Sequence, residues 1–328
     1  MDSAARAVAQ TWSAAFSTPD EMAAAQKDAS VEYQSLADRA QYAGRLTVVQ
    51  LGGMHFQAAV DGAHVVRGTV LPERAVILLP NGRVGQGLRV NGWGDFEHTG
   101  VLLRGGSELL AVTPMPQRWS ALVVPEAHFS GLAHGTEVAS GGSFAPLRDV
   151  LRRVPQLRRF STALEDVAWN DPDRLSVGSV AAALRDELAH YFARACGEIR
   201  EGWHRNLRLG RRVRLVSEAE EYLRARLGHA IYTAEVGAAL GVSERTLAEA
   251  FSAVYGMSLQ RYLLLRRLNQ VNRVLMEHGD SAPILVKTAA LDFGFWHLGR
   301  FAGAYRSVFG ETPSETAHAA ARRHGGVH

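Results

Sequence analysis

Residues 240–256, LGVSERTLAEAFSAVYG, and residues 293–310, FGFWHLGRFAGAYRSVFG, carry one pattern written twice. At an offset of 54 residues Leu247 aligns with Phe301, Phe251 with Tyr305, Val254 with Val308 and Gly256 with Gly310, and Ser258 then meets Thr312. The shared frame is an apolar residue, a second four later, a third after three more, and a glycine two beyond. That spacing buries one face of a three-turn helix and ends it at a left-handed C-cap. A shorter helical segment and a tight glycine turn precede each copy: Thr233 to Leu240 with Gly241-Val242-Ser243, and Val286 to Phe293 with Gly294-Phe295-Trp296-His297. The second turn is one residue longer. Ser243 suits an N-cap, since its hydroxyl accepts a first-turn N–H, and Gly241 can take the left-handed conformation of the turn. Gly237 costs about 1 kcal/mol against alanine inside a helix, which is expected where the second helix passes very close. Each copy therefore reads as a helix-turn-helix unit. Between them Leu259 to His278 reads as one long helix with Tyr262, Leu263, Leu268 and Leu275 inward, holding the units at fixed separation.

Outward from this repeat, the chain of 328 residues is long enough for two domains, and 47% hydrophobic with 21% charged residues is the composition of a folded protein without a disorder signature. The start, Met1-Asp2-Ser3-Ala4-Ala5-Arg6, lacks the unbroken apolar stretch of a secretory signal, so a cytoplasmic location is expected. Cys196 is the single cysteine, which excludes an internal disulfide and sites built on several thiolates, including a cysteine-rich alkyl-acceptor domain. The net charge of +3 is unevenly spread: residues 211–328 carry 15 Arg/Lys against 11 Asp/Glu, so the positive excess belongs to the C-terminal part.

From Arg45 to Pro125 short apolar or alternating runs alternate with Gly, Pro and Asn turns: Leu46 to Leu51, Val65 to Leu71, Ala75 to Leu79, Gly87 to Val90, Thr99 to Leu103, Leu109 to Val112 and Ala121 to Val124. The spacing predicts strands of a small antiparallel sandwich or barrel. Beyond Ser140-Gly141-Gly142-Ser143 the pattern turns helical, with Leu147, Val150 and Leu151 and a run from Val180 to Ala195. The expected class is α+β, divided into a β-rich sensing domain at 1–139, a helical dimerisation or linker region at 140–210, and a DNA-binding domain at 211–328.

The stretches LGVSERTLAEAFSAVYGMSLQRYLLLRRL and LDFGFWHLGRFAGAYRSVFGETPSET, with the arginine-containing helix that joins them, resemble the DNA-binding domain of the AraC/XylS family. The run Phe295 to Phe301 followed by Phe309-Gly310-Glu311-Thr312-Pro313-Ser314 is similar to the branch that includes regulators of aromatic-compound catabolism. The likeness spans about a third of the chain. It implies a transcription regulator, often an activator, with double-stranded DNA and RNA polymerase as partners, a homodimer, an N-terminal cupin-like sensor for a small-molecule effector such as an aromatic acid, no cofactor and no catalytic residues. Two alternatives stay open: a cupin-type enzyme fused to a DNA-binding module, and an effector-independent DNA-binding protein.

With Leu247, Ala250, Phe251 and Val254 inward, Arg245, Ala248, Glu249 and Ser252 share the opposite face, alongside Ser243 and Thr246 at its start. Arg245 can donate two hydrogen bonds to a guanine, Glu249 can accept from a cytosine amino group, and Ala248 can touch a thymine methyl; Glu249 as a solvated helix charge is the plainer alternative. In the second unit the positions matching Arg245, Ala248 and Glu249 are Gly299, Ala302 and Gly303. Such small residues read little but let the backbone sit close to the groove, with His297, Arg300 and Arg306 beside them for phosphate or guanine. Arg266, Arg267 and Arg273 are as consistent with structural ties as with phosphate contacts. In the β-rich part His55, His64, His98 and His128 stand singly, without the His-x-His pair of a catalytic cupin, so no metal site is expected. His64, Arg67, Trp93, His98 and Trp119 are the effector-pocket candidates, as aromatic walls with cationic or hydrogen-bonding ends for a small acid.

Overall fold

The computed structural model describes residues 9–36, 42–81, 87–132, 144–197, 207–226, 231–277 and 282–324. The N-terminal part is two antiparallel sheets. The strands are β1 (Gln10–Phe16), β2 (Ala29–Ser35), β3 (Gly44–Leu51), β4 (Met54–Asp61), β5 (His64–Val70), β6 (Arg74–Asn81), β7 (Arg89–Val90), β8 (Gly100–Leu103), β9 (Glu108–Thr113), β10 (Gln117–Pro125) and β11 (Phe144–Leu147). One sheet has seven strands in the order β1-β3-β4-β10-β6-β8-β11; the other has four, β2-β5-β9-β7. Every expected run is represented by a strand. β1, β2, β4 and β11 are additional.

Leu46, Val48, Ala59 and Val101 from the larger sheet meet Tyr33, Val66, Val90 and Ala111 from the smaller one in a shared core. The short helix α1 (Pro19–Ala25) adds Met22, and its start is fixed by a capping box between Thr18 and Glu21. The outer face of the seven-stranded sheet is covered by α3 (Val150–Arg153), α4 (Pro155–Asn170) and α5 (Gly178–Gly197), with α2 (Glu126–Leu132) following β10. Leu157, Phe160, Leu164, Leu188 and Phe192 pack there against Phe56, Ile77 and Leu122. Cys196 belongs to the same core, and burial pushes its thiol up to about 12.

The C-terminal part is helical: α6 (Leu207–Arg224), α7 (Thr233–Ala239), α8 (Glu244–Tyr255), α9 (Leu259–Glu277), α10 (Ala282–Asp292), α11 (Leu298–Phe309) and α12 (Pro313–His324). No described helix is long and apolar enough to cross a membrane. α9, about 28 Å long at 1.5 Å per residue, divides its buried side between two cores. Leu259, Tyr262 and Leu263 enter the cluster of the first unit, and Leu265, Leu268, Val271 and Leu275 that of the second.

Four strands of one sheet join the two parts. Val65, Leu110 and Val112, on the outer face of the smaller sheet, share a hydrophobic cluster with Val216, Leu247, Phe251 and Tyr255. At its edge Arg67 Nη1 donates to Glu220 Oε2 at 2.7 Å, and the Tyr255 hydroxyl donates to the other oxygen of the same carboxylate. Asn269 of α9 clasps Ser35, accepting from its N–H at 2.9 Å and donating to its carbonyl at 3.2 Å. Arg273 reaches Asp20 at 3.4 Å and Glu32 at 3.8 Å, which makes it a tie between the two parts.

Candidate nucleic-acid interface and effector cavity

The second helix of each unit is built as its sequence dictates. Ser243 Oγ accepts from Thr246 N at 3.1 Å and caps α8, while Gly256 closes it at φ 68° and Gly310 closes α11 at φ 73°, the left-handed region that glycine enters without strain. Val242 N donates to Gly237 O at 2.9 Å, and a Cβ on Gly237 would stand 2.8 Å from the Val242 carbonyl oxygen. The backbone that excludes a side chain there is therefore the turn, rather than the second helix. In the second unit Phe295, Phe301, Tyr305 and Phe309 form a chain of ring contacts with centroids 4.5–5.7 Å apart. The Tyr305 hydroxyl accepts from Asn272 Nδ2 at 2.6 Å and donates to Thr316 Oγ1 at 3.0 Å, pinning α11 to α9 and α12.

All the sequence-derived DNA candidates are on open surface: Ser243, Arg245, Thr246, Ala248, Glu249 and Ser252 around α8, and His297, Gly299, Arg300, Gly303 and Arg306 around α11. Arg245 Nε meets Glu249 Oε1 at 2.9 Å, an exposed i,i+4 pair of the kind worth a few tenths of a kcal/mol, cheap to open against a base pair. Sequence reasoning passed over Trp296, which is 71% exposed in the turn before α11, next to exposed Leu298. The signal was a bulky apolar pair at a helix start where the core needs neither. A Cβ on Gly299 or Gly303 would meet nothing within 4 Å, so packing demands neither glycine. Gly303→Ala is accordingly expected to stabilise the fold by about 1 kcal/mol through helix propensity, read as a raised Tm, while weakening DNA binding if α11 seats its backbone against the groove.

A cavity of about 110 Å³ lies between the two sheets. His64 and Trp119 line it, as expected from sequence. Arg67, Trp93 and His98 do not. Arg67 follows His64 by three residues on the same strand, and period-two alternation puts the pair on opposite faces: His64 and Val66 inward, Val65 and Arg67 toward the helices. Trp93 donates to the Asp95 carbonyl at 2.7 Å beneath the Arg148 guanidinium, and His98 faces Glu97 at 3.6 Å. The residues missed are Gln26, Tyr33, Asp61 and Gln117. Asp61 and Gln117 end and begin strands β4 and β10, which pair with Gln117 opposite Asp61. Strand pairing was not readable from the sequence, so neither was their meeting. His64 Nδ1 lies 2.7 Å from the Gly62 carbonyl, stacked on Tyr33 at 4.4 Å. Among the described residues no three His, Cys, Asp or Glu side chains gather as metal ligands.

Two helix-turn-helix units on one connecting helix, each with an open second helix, define a double helix-turn-helix module. A helix-turn-helix domain family matches residues 236–319. The chain is 36% identical over 101 residues to the probable thc operon regulatory protein of Rhodococcus erythropolis, covering 31% of this chain and 30% of that one. It is 39% identical over 75 residues to the XylDLEGF operon transcriptional activator of Pseudomonas putida, 23% of each. The match thus spans less than a third of the length of these curated relatives. Among solved structures, a probable AraC family transcriptional regulator from Rhodopseudomonas palustris is 36% identical, with 33% of this chain covering 97% of that one at a TM-score of 0.30. This C-terminal part of the chain is a helix-turn-helix domain, similar in sequence to the corresponding part of these operon regulators.

Proposed function

We propose that this chain is a sequence-specific, effector-responsive transcription regulator that places α8 and α11 in the major groove of double-stranded DNA. The observation that carries this reading is the pair of open second helices, whose cores are spent on α9 while their candidate contact residues stay exposed. Arg245, Ala248, Glu249 and Ser252 supply side-chain readout; Gly299 and Gly303 supply closeness, with Arg300 and Arg306 for phosphates and Trp296 for apolar contact. The intersheet cavity is the effector site in the same reading. Residues 1–139, with the helices that cover their sheet, form the sensing part, and 211–328 the DNA-binding part. Self-association as a homodimer and contact with RNA polymerase belong to the reading on family likeness.

The test is binding of Arg245→Ala and Arg300→Ala to a set of mutated half-sites. Arg245→Ala is expected to cost about 1–3 kcal/mol and to relax discrimination at one base pair. Arg300→Ala is expected to weaken all sites evenly and to lower the salt slope by about one. Greater loss of specificity from Arg300 than from Arg245 would overturn the assignment of roles.

A further inference from the structure

Resting on the reading of the intersheet cavity as an effector site, we propose that its ligand is a single-ring-sized, largely apolar molecule whose polar head donates hydrogen bonds, an amine or a hydroxyl, and that organic acids are excluded. The cavity wall is mostly Val31, Val66, Leu78, Val90, Phe96 and Leu109, and its volume of about 110 Å³ is on the scale at which protein cavities accept one benzene ring. Among the described residues, the buried side-chain atoms at this wall left without a partner are two acceptors and one donor. Asp61 is fully buried; its Oδ1 accepts from the Tyr42 hydroxyl at 2.5 Å, and its Oδ2 has no hydrogen-bond partner. Tyr33 and Trp119 lie close to this carboxyl without satisfying Oδ2.

Gln117 Oε1 is likewise buried and unpaired. The Gly62 carbonyl requires a proton on His64 Nδ1, and the same nitrogen lies 3.5 Å from Asp61 Oδ1, so this ring is engaged with the protein's own groups. On the donor side stand the unpaired Gln26 amide nitrogen and, close to Asp61, the Tyr33 hydroxyl and the Trp119 indole N–H, none of them charged. The one arginine among the described residues lining the cavity, Arg118, is committed elsewhere: it bonds Glu165 at 2.6 Å and lies over the Trp169 ring at 4.8 Å. Among the described residues lining the cavity, an entering carboxylate would meet a second buried carboxyl and no lysine or unpaired arginine, whereas a donor head satisfies atoms that are otherwise orphaned.

The experiment is calorimetric titration of the full chain with three molecules that differ only in head group: benzylamine, benzyl alcohol and benzoate. The expected result is that the amine or the alcohol binds at least about tenfold more tightly than benzoate, because a site built to receive a donor rejects an analogue lacking one. In Asp61→Asn, checked for folding by circular dichroism, the preference is expected to shrink; Gln117→Leu, away from the Tyr42 contact, is expected to weaken the favoured ligand without raising benzoate binding. Benzoate binding as tightly as the other two overturns the head-group proposal while leaving the cavity as a binding site. Absence of saturable binding by all three removes the effector-site reading along with it. An unchanged preference in both variants overturns the role given to Asp61 and Gln117.

Discussion

Arg67→Ala is expected to lower the unfolding free energy by about 3–5 kcal/mol, the usual cost of leaving one member of a buried ion pair behind. The member left is Glu220, 1% exposed, whose carboxyl burial already raises above the usual range while the Arg67 guanidinium pulls it back. Without Arg67 that opposing pull is gone and the Glu220 pKa rises further. A raised folded-state pKa contributes stability that is present below the unfolded value of about 4.3 and is lost as pH rises through the folded value. The deficit of Arg67→Ala should therefore be largest near neutrality and shrink as the buffer is taken toward pH 5. Urea denaturation at several pH values measures both effects. The paired replacement Arg67→Met with Glu220→Leu should recover most of the loss, since apolar residues of similar volume often replace a buried ion pair at no net cost. A single-variant loss below about 1 kcal/mol would mean that the pair is solvated and does not hold the two parts together.

Phe251→Ala and Tyr305→Ala occupy matching positions of the repeat and are each expected to cost about 3–5 kcal/mol, yet to fail differently. Phe251 packs at a tilt against the Tyr255 and Tyr262 rings and belongs to the cluster that includes Val65, Leu110 and Val112. Its loss should loosen the first unit and the joint with the smaller sheet together. Tyr305 sits in a cluster whose buried members all belong to α9 through α12, so its loss should leave that joint intact. Limited proteolysis of the two variants distinguishes them: new cleavage near the joint is expected in Phe251→Ala and absent in Tyr305→Ala. Identical patterns would show that the two cores unfold as one.

The helical part was legible because its determinants are local. Caps, glycine turns and apolar spacing each act within a few residues, and Leu247 against Phe301 or Gly256 against Gly310 can be compared without knowing any long-range contact. The β part was legible only where a strand alternates or is rich in Val, Leu and Ile. β4, Met54–Asp61, escaped because it is buried on nearly every residue and spends His, Gln and Ala there, so it shows neither alternation nor an aliphatic run. β1 reads as Gln, Thr, Ser and Ala around two aromatics on a sheet edge, and β11 is four residues long with Pro146 inside it. The cavity failed for a related reason. Its polar end is made by Asp61 and Gln117 from paired strands far apart in the chain, and Arg67 was placed beside His64 although an odd spacing on one strand separates them.

The four-stranded sheet is one residue thick, with Val66, Leu109 and Ala111 turned to the cavity and Val65, Leu110 and Val112 turned to the first helix-turn-helix unit. Any occupant of the cavity and any operator engaged by that unit are therefore on either side of the same four strands. Thermodynamics then fixes their relation: whatever factor a bound small molecule contributes to operator affinity, the operator must contribute to the affinity for that molecule. A calorimetric titration repeated on the operator-bound protein would read the same coupling from the opposite side, and for such a membrane of strands the DNA is as much an effector as the small molecule is.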